Sequence, residues 1–153
     1  HTRFRNVTGV QTCALPICGE DKYFRAGTGH LTVDIEGVAV TAFVCYDLRF
    51  ADHFWAHAAT TDLFIVPANW PASRAAHWRT LLEARAIENQ AYVVGVNRVG
   101  DGGSLHYGGG SRFVGPFGED LAEAANTETI IYADVEHGRV VDTRERFPFL
   151  RDR

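Results

Sequence analysis

The chain has 153 residues, of which 46% are hydrophobic and 22% are charged, and its formal net charge is −4. This composition is ordinary for a globular domain, and its interspersed charges offer neither a basic face for nucleic acid nor a lysine-rich run for a membrane surface. No apolar run approaches the roughly 20 residues that span a bilayer. The 3 cysteines, an odd number, argue against a disulfide framework and favour a reducing compartment, so we expect a cytoplasmic protein.

Residues 1–18 differ in character from the rest of the chain. The segment 7–17, VTGVQTCALPI, has no helix or strand periodicity. Along its whole length it resembles the translation of a short-read sequencing adapter. We therefore expect 1–18 to be a non-native assembly artefact that is excluded from fold reasoning, natural sequence to begin near Gly19, and the chain to be the C-terminal part of a longer protein.

The first predicted elements are strands and short connecting helices. Residues 31–44 combine an alternating apolar stretch, a glycine and a second apolar run, which predicts a β-hairpin. A short helix over 50–59 and a compact buried strand over 63–67 follow. Ser73 is a suitable N-cap for a long helix that ends near Asn89.

The second half of the chain continues the alternation of strands and helices. A buried strand over 92–96 precedes the glycine-rich segment 100–110. This segment predicts a flexible loop, and it lacks a phosphate-binding fingerprint because no helix pattern follows it. Residues 111–123 predict another hairpin, 129–135 a last strand and 136–145 a short helix. This order indicates an α/β fold.

Cys45 is the first candidate for chemistry. It ends the apolar run of the predicted hairpin, and charged residues follow it at once. Ligands bind at the carboxyl ends of strands in open α/β sheets, so a thiol there is a candidate nucleophile. The alternative is a cysteine that packs as a small apolar side chain. The Tyr46 amide is suitably placed to help hold an oxyanion.

Other polar residues offer a binding site around this thiol. Arg49, four residues after Cys45, suits a substrate carboxylate, with an ion pair to Asp47 or Asp52 as the alternative. Asn69 and Trp70 end a buried strand and are candidates to line a pocket; a turn residue and a core aromatic are the alternative.

The remaining charged residues point mainly to structure. On the long helix, the spacings of Arg79 and Glu83, and of Arg85 and Glu88, predict structural ion pairs. His53 and His57 are predicted to be a surface pair, because no third metal ligand has a telling spacing. A dyad of the cysteine with His77 or His106 is the competing chemistry.

Five segments, taken in order, resemble the nitrilase, or carbon–nitrogen hydrolase, superfamily. Residues 44–50, VCYDLRF, resemble its nucleophile motif. The other segments, which fit further family motifs in the same order, are 19–27, 69–71, 83–100 and 111–119. The resemblance covers about 19–150 and is closest to the ω-amidase-like branch, whose members hydrolyse the terminal amide of 2-oxoglutaramate and related ω-amides.

The resemblance implies a fold and a mechanism. The fold is a four-layer αββα sandwich, incomplete here over 19–150, which usually forms homodimers. The cysteine attacks the amide carbon of a small substrate, ammonia leaves from a thioester intermediate, and water releases the acid. Cys45 matches the nucleophile, Glu20 the second glutamate, and Arg49 a position that often engages a substrate carboxylate. Neither a metal nor a cofactor is implied.

The chain also departs from the family pattern. The general-base glutamate and the lysine of the family precede the position of Glu20, where this chain has the adapter-like residues. Lys22 is the only lysine and lies out of register. We therefore expect this chain not to turn over efficiently. A Cys–His hydrolase and a non-catalytic binding relative are the alternative functions.

Overall fold

The computed structural model describes residues 29–152. Glu20 and the segment 1–18 lie outside the described residues, so their predicted roles stay predictions. The strands and α-helices are β1 (Leu31–Ile35), β2 (Val38–Ala42), α1 (Ala51–Trp55), β3 (Leu63–Ala68), α2 (Ala75–Asn89), β4 (Tyr92–Asn97), β5 (Val99–Gly102), β6 (Leu105–Gly108), β7 (Arg112–Val114), β8 (Asp120–Glu123) and α3 (His137–Arg146). Short 3₁₀ helices cover Cys45–Arg49, Ala58–Thr60, Ala72–Arg74 and Phe149–Asp152.

Six of the strands form one mixed sheet in the order β1-β2-β3-β4-β7-β8. Strands β2, β3 and β4 run parallel, while β1, β7 and β8 pair antiparallel with their neighbours. The carboxyl ends of the three parallel strands therefore meet at one edge of the sheet. This is the edge at which ligands bind in open α/β sheets, and the segments that follow β2 and β3 start there. The predicted α/β class is confirmed.

Helix α2 covers one face of this sheet. Its Trp78 and Leu82 belong to the same buried cluster as Phe64 of β3 and Val93 of β4. The contact is close because β4 has a glycine there: a Cβ on Gly95 would lie 2.5 Å from Leu82 Cδ1. The long β3–α2–β4 connection is thereby fixed over the centre of the sheet.

The opposite face of the sheet carries exposed apolar side chains on β1 and at the end of β4. Leu31 and Ile35 are 47% and 54% exposed, and Val33 and Val96 are also exposed. The described residues thus supply one six-stranded sheet with α2 on one face, and a separate two-stranded sheet of β5 and β6. One sheet with its helix layer is half of the four-layer arrangement that the resemblance implies. Among these residues, no helix has the length and apolar character needed to cross a membrane.

Four local predictions need correction. Helix α2 begins at Ala75, after a 3₁₀ turn, and its N-cap is Arg74 without a side-chain cap rather than Ser73. Helix α1 ends at Trp55, earlier than the predicted 50–59. The segment 100–110 contains most of the β5–β6 hairpin, in which Arg98 stacks on Tyr107 at 4.5 Å.

The fourth correction concerns 129–135, where no strand forms. The apolar residues of this segment gave it a strand pattern, but Ile130 and Tyr132 are 75% and 82% exposed. No described strand pairs with the segment. A strand needs a ladder partner as well as suitable side chains, and this segment lacks one among residues 29–152.

Candidate active site

The 3₁₀ helix Cys45–Arg49, hereafter the Cys45 turn, follows β2 at the carboxyl edge of the sheet. Cys45 has a φ of 46°, in the left-handed region that a side chain rarely adopts. Such a conformation costs on the order of 1–3 kcal/mol and persists only when its surroundings determine it. The Cys45 side chain is half-buried and packs against the hydrophobic core.

Hydrogen bonds fix both ends of the Cys45 turn. At its start, the buried Asp47 accepts the Val44 N–H through Oδ2 at 2.9 Å, and the Asp47 N–H donates to the Val44 carbonyl at 3.0 Å. At its end, Arg85 of α2 donates to the Leu48 carbonyl from Nε and Nη2, at 3.1 and 2.9 Å. Neither Asp47 nor Arg85 has a sequence pattern that would place it in the site.

Arg49 lies among aromatic rings at the end of this turn. Its guanidinium carbon is 4.7 Å from the centroid of Trp70 and 5.6 Å from that of Tyr46. Nη2 is 3.4 Å from His77 Nδ1. Neither predicted acidic partner forms an ion pair with it: Asp47 caps the turn, and the Asp52 carboxylate lies 3.8 Å from His53.

Asn69 and Trp70 follow β3 at the same edge, with different exposures. Asn69 is exposed, whereas Trp70 is buried and donates from Nε1 to the Arg74 carbonyl. Asn97, at the end of β4, accepts the Trp70 N–H at 2.7 Å and donates to the carbonyls of Trp70 and Gly109. Asn97 thereby fixes the backbone of Trp70, whose ring supports Arg49. This role of Asn97 has no signal in the local sequence.

A cavity of about 290 Å³ lies between the start of α2 and the β5–β6 hairpin. Trp70, Trp78 and Asn97 are among its lining residues, but Cys45 is not. Because a reacting carbon must lie close to the attacking sulfur, we do not assign the substrate to this cavity.

The histidines do not follow the predicted arrangement. His53 and His57 are joined by His30, whose ring centroid lies 5.7 and 4.6 Å from theirs, instead of forming a simple surface pair. Burial lowers the pKa of His30 and of His57, and the neighbouring imidazoles lower both further. Within residues 29–152, no group of His, Cys, Asp and Glu side chains is arranged to hold a metal.

The histidines proposed for a dyad have other contacts. His77 contacts Arg49, and His106 contacts Asp101 at 2.8 Å on the exposed β5–β6 hairpin. The two predicted ion pairs of α2 are confirmed: Arg85 with Glu88 at 2.7 Å and Arg79 with Glu83 at 3.5 Å.

The chain matches a known family over most of its length. The sequence model described as carbon-nitrogen hydrolase matches residues 18–145. The chain is 45% identical over 136 residues to the omega-amidase YafV of Escherichia coli (strain K12), covering 87% of this chain and 52% of that protein. It is 38% identical over 141 residues to the 2-oxoglutaramate amidase of Paenarthrobacter nicotinovorans, covering 88% and 48%.

The fold has relatives among solved structures as well. A CN-hydrolase superfamily protein of Xanthomonas campestris, solved with an arsenic adduct in its active site, superposes with a TM-score of 0.86 at 34% identity. The superposition covers 94% of this chain and 57% of that one. The chain spans about half the length of the curated relatives it matches.

Proposed function

The chain belongs to the carbon–nitrogen hydrolase family, and from this membership we propose that Cys45 is the nucleophile of an amide hydrolase. The observation that carries the proposal is the left-handed φ of Cys45 in a turn at the carboxyl edge of three parallel strands. A strained turn that presents a nucleophile at a strand end is the arrangement of other elbow-type sites. The strain is consistent with a functional position rather than a packing one.

The proposed reaction is covalent acyl transfer. The Cys45 thiol adds to the amide carbon, and its proton passes to the departing nitrogen, so that ammonia leaves and a thioester remains. Water then cleaves the thioester, which releases the carboxylic acid and restores the thiol. The Tyr46 N–H is in the first turn of a helix, where backbone donors lack intrahelical acceptors, and we assign it to the oxyanion. Glu20 is assigned, by family resemblance, to orienting the lysine of the family.

The proposed substrate is a small linear amide that carries a carboxylate, such as the ω-amide of a 2-oxo acid. Arg49 would bind the carboxylate, since its guanidinium is held by aromatic rings and neither of the two acids near it in sequence pairs with it. Trp70 supports that guanidinium, and Asn69 lies exposed beside it in sequence. The names of the relatives, an omega-amidase and a 2-oxoglutaramate amidase, favour the same substrate class.

Two further features belong to this proposal. We place the protein in the cytoplasm, as its odd number of cysteines favours. We also propose that two copies associate through an apolar patch on the helix side of the molecule, the α2–α3 patch. It consists of Ile87, Phe117, Phe147 and Phe149, all exposed, around a cavity of about 190 Å³.

Alkylation tests two proposed roles together: Cys45 as the nucleophile and Arg49 as the residue that binds the substrate carboxylate. We expect peptide-resolved mass spectrometry to show that Cys45 reacts faster than a small reference thiol with iodoacetate, because Arg49 binds the carboxylate of that reagent. The preference for iodoacetate over the neutral iodoacetamide should fall about tenfold in Arg49→Gln, since charge-assisted pairing is lost. Arg98→Gln is the matched control, because Arg98 also stacks on an aromatic ring but lies on the β5–β6 side.

Other results would contradict the assignment of Cys45 as the nucleophile of an amide hydrolase. A Cys45 that alkylates no faster than the reference thiol, with equal preference for both reagents, would indicate the non-catalytic relative. The protein expressed at its natural length should release ammonia from 2-oxoglutaramate, and Cys45→Ala should abolish that release. Loss of activity in His77→Asn with Cys45 reactivity intact would instead favour a Cys–His hydrolase.

A further inference from the structure

We infer that Arg85 is a positioning residue, which holds the Cys45 turn in the geometry required for acylation. The inference rests on the proposed role of Cys45 as nucleophile. Arg85 belongs to α2 and lies 37 positions after Leu48, whose carbonyl it binds. It therefore ties the rigid central helix directly to the segment that carries the thiol.

The Arg85 side chain is fixed on every side that the structure describes. It is only 4% exposed. Nε and Nη2 donate to the Leu48 carbonyl, and Nη1 donates to Glu88 Oε1 at 2.7 Å. The guanidinium carbon lies over the Phe54 ring, 5.3 Å from its centroid. A planar group held in this way has little freedom to follow a change in the turn.

The Leu48 carbonyl depends on these donors. Leu48 is fully buried, and its carbonyl is among the last of a 3₁₀ helix, where acceptors have no partner within the helix. An unsatisfied buried carbonyl costs about 1–3 kcal/mol. Without Arg85, the turn would relax to give this carbonyl another partner, and the left-handed φ of Cys45 would be the torsion that relaxes at least cost.

Asp47 and Arg85 hold opposite ends of the Cys45 turn. Asp47 fixes the start, through the Val44 N–H, and Arg85 fixes the end. An apolar side chain of similar length at position 85 would preserve packing against Phe54 but not the donors. Lysine would keep the charge and a single donor nitrogen. It lacks the planar guanidinium that places two N–H groups from different nitrogens on one oxygen.

The test compares variants in α2 by the pH dependence of Cys45 alkylation. We expect Arg85→Met to slow iodoacetamide labelling of Cys45 by about ten- to a hundredfold, the scale on which loss of a supporting partner acts at other sites. Its pH profile should move towards that of a small reference thiol, whose pKa is about 8.5. Arg85→Lys should restore part of the rate.

A control variant separates positioning from stability. Arg79→Met removes another ion-paired arginine of the same helix, and it should lower the unfolding midpoint without changing the rate or the pH dependence of Cys45 labelling. If Arg85→Met does not fold, amide hydrogen exchange in Arg85→Lys tests the positioning role instead. We expect faster exchange in the Cys45 turn and unchanged exchange in α2.

The two proposals fail in different ways. The role of Arg85 alone is overturned if wild-type Cys45 is reactive and the pH profile of its alkylation is the same in Arg85→Met. Unchanged hydrogen exchange of the Cys45 turn in Arg85→Lys overturns it as well. A wild-type Cys45 with the profile of the reference thiol overturns the proposed nucleophile, and the positioning role with it.

Discussion

Gly95 illustrates how a single residue determines the position of α2 on the sheet. A Cβ at this position would lie 2.5 Å from Leu82 Cδ1 and 2.6 Å from Trp78 Cζ2. Both neighbours are almost fully buried in the core, so neither has space to move. The helix approaches β4 as closely as it does because no side chain stands between them.

We expect Gly95→Ala to lower the free energy of unfolding by about 1–3 kcal/mol, the usual cost of overpacking a core. Urea denaturation followed by circular dichroism measures this. Gly138→Ala is the matched control: it lies in α3, no heavy atom lies within 4 Å of the added Cβ, and replacing a helical glycine stabilises by about 0.5–1 kcal/mol. Equal stability of the two variants would contradict the tight packing at Gly95.

At the scale of elements, local patterns predicted most strands and helices but few of their connections. The alternation at 31–35 and the apolar runs at 63–67 and 92–96 correspond to β1, β3 and β4. These patterns work because burial on a sheet imposes a local period on the sequence. The same reasoning placed Cys45 after a strand, although β2 ends at Ala42 and the turn that follows is 3₁₀.

The contacts that complete the site were beyond such reasoning. Arg85 binds a carbonyl 37 residues away, and Asn97 binds the backbone of Trp70 over 27 residues. No local period encodes a hydrogen bond between distant segments. Arg85 had a satisfactory local explanation, its ion pair with Glu88, and that explanation concealed its second contact. The glycines of 100–110 likewise fit a loop pattern, and neither the β5–β6 pairing nor the Arg98–Tyr107 contact has a local sequence signal.

The cluster of His30, His53 and His57 links the start of β1 to the end of α1 and is sensitive to pH. Burial, followed by repulsion from neighbouring imidazoles, lowers the pKa of His30 and His57 below the ordinary 6.5. The unfolded chain therefore binds protons at a higher pH than the folded one does. The stability that the neutral imidazoles provide is present above pH 6.5 and is lost as the pH falls through the folded-state pKa values.

We expect the unfolding midpoint to fall as the pH is lowered below 6.5, and His57→Gln to flatten that part of the profile. The carboxylate of Asp52 faces the cluster, 3.8 Å from His53. His106→Gln is the control, because His106 pairs with Asp101 on an exposed hairpin. Thermal unfolding across this pH range is the measurement. A His57→Gln profile as steep as the wild type would show that the cluster does not cause the acid sensitivity.

At the scale of the whole molecule, residues 29–152 present two apolar surfaces of different kinds. The sheet face opposite α2 presents Leu31, Val33 and Ile35 in a flat row on β1. The α2–α3 patch is formed by side chains from three separate segments and encloses a small cavity with Pro116 and Thr143 in its lining. Patches of exposed apolar residues mark association sites on soluble proteins. The shape of the α2–α3 patch favours a specific contact, whereas the flat β1 edge favours indiscriminate pairing.

We therefore expect the chain to associate with a second copy through the α2–α3 patch. Aromatic anchors at the centre of such contacts contribute more than about 1 kcal/mol each, so the double variant Phe117→Ser and Phe149→Ser should raise the dimer dissociation constant by at least about thirtyfold. Sedimentation velocity over a concentration series measures it. The matched variant on the other surface, Val33→Thr with Ile35→Thr, should reduce concentration-dependent aggregation and leave the dimer constant unchanged, because threonine keeps the strand but removes apolar area. A dimer lost in the threonine variant and kept in the serine variant would move the interface to the sheet face.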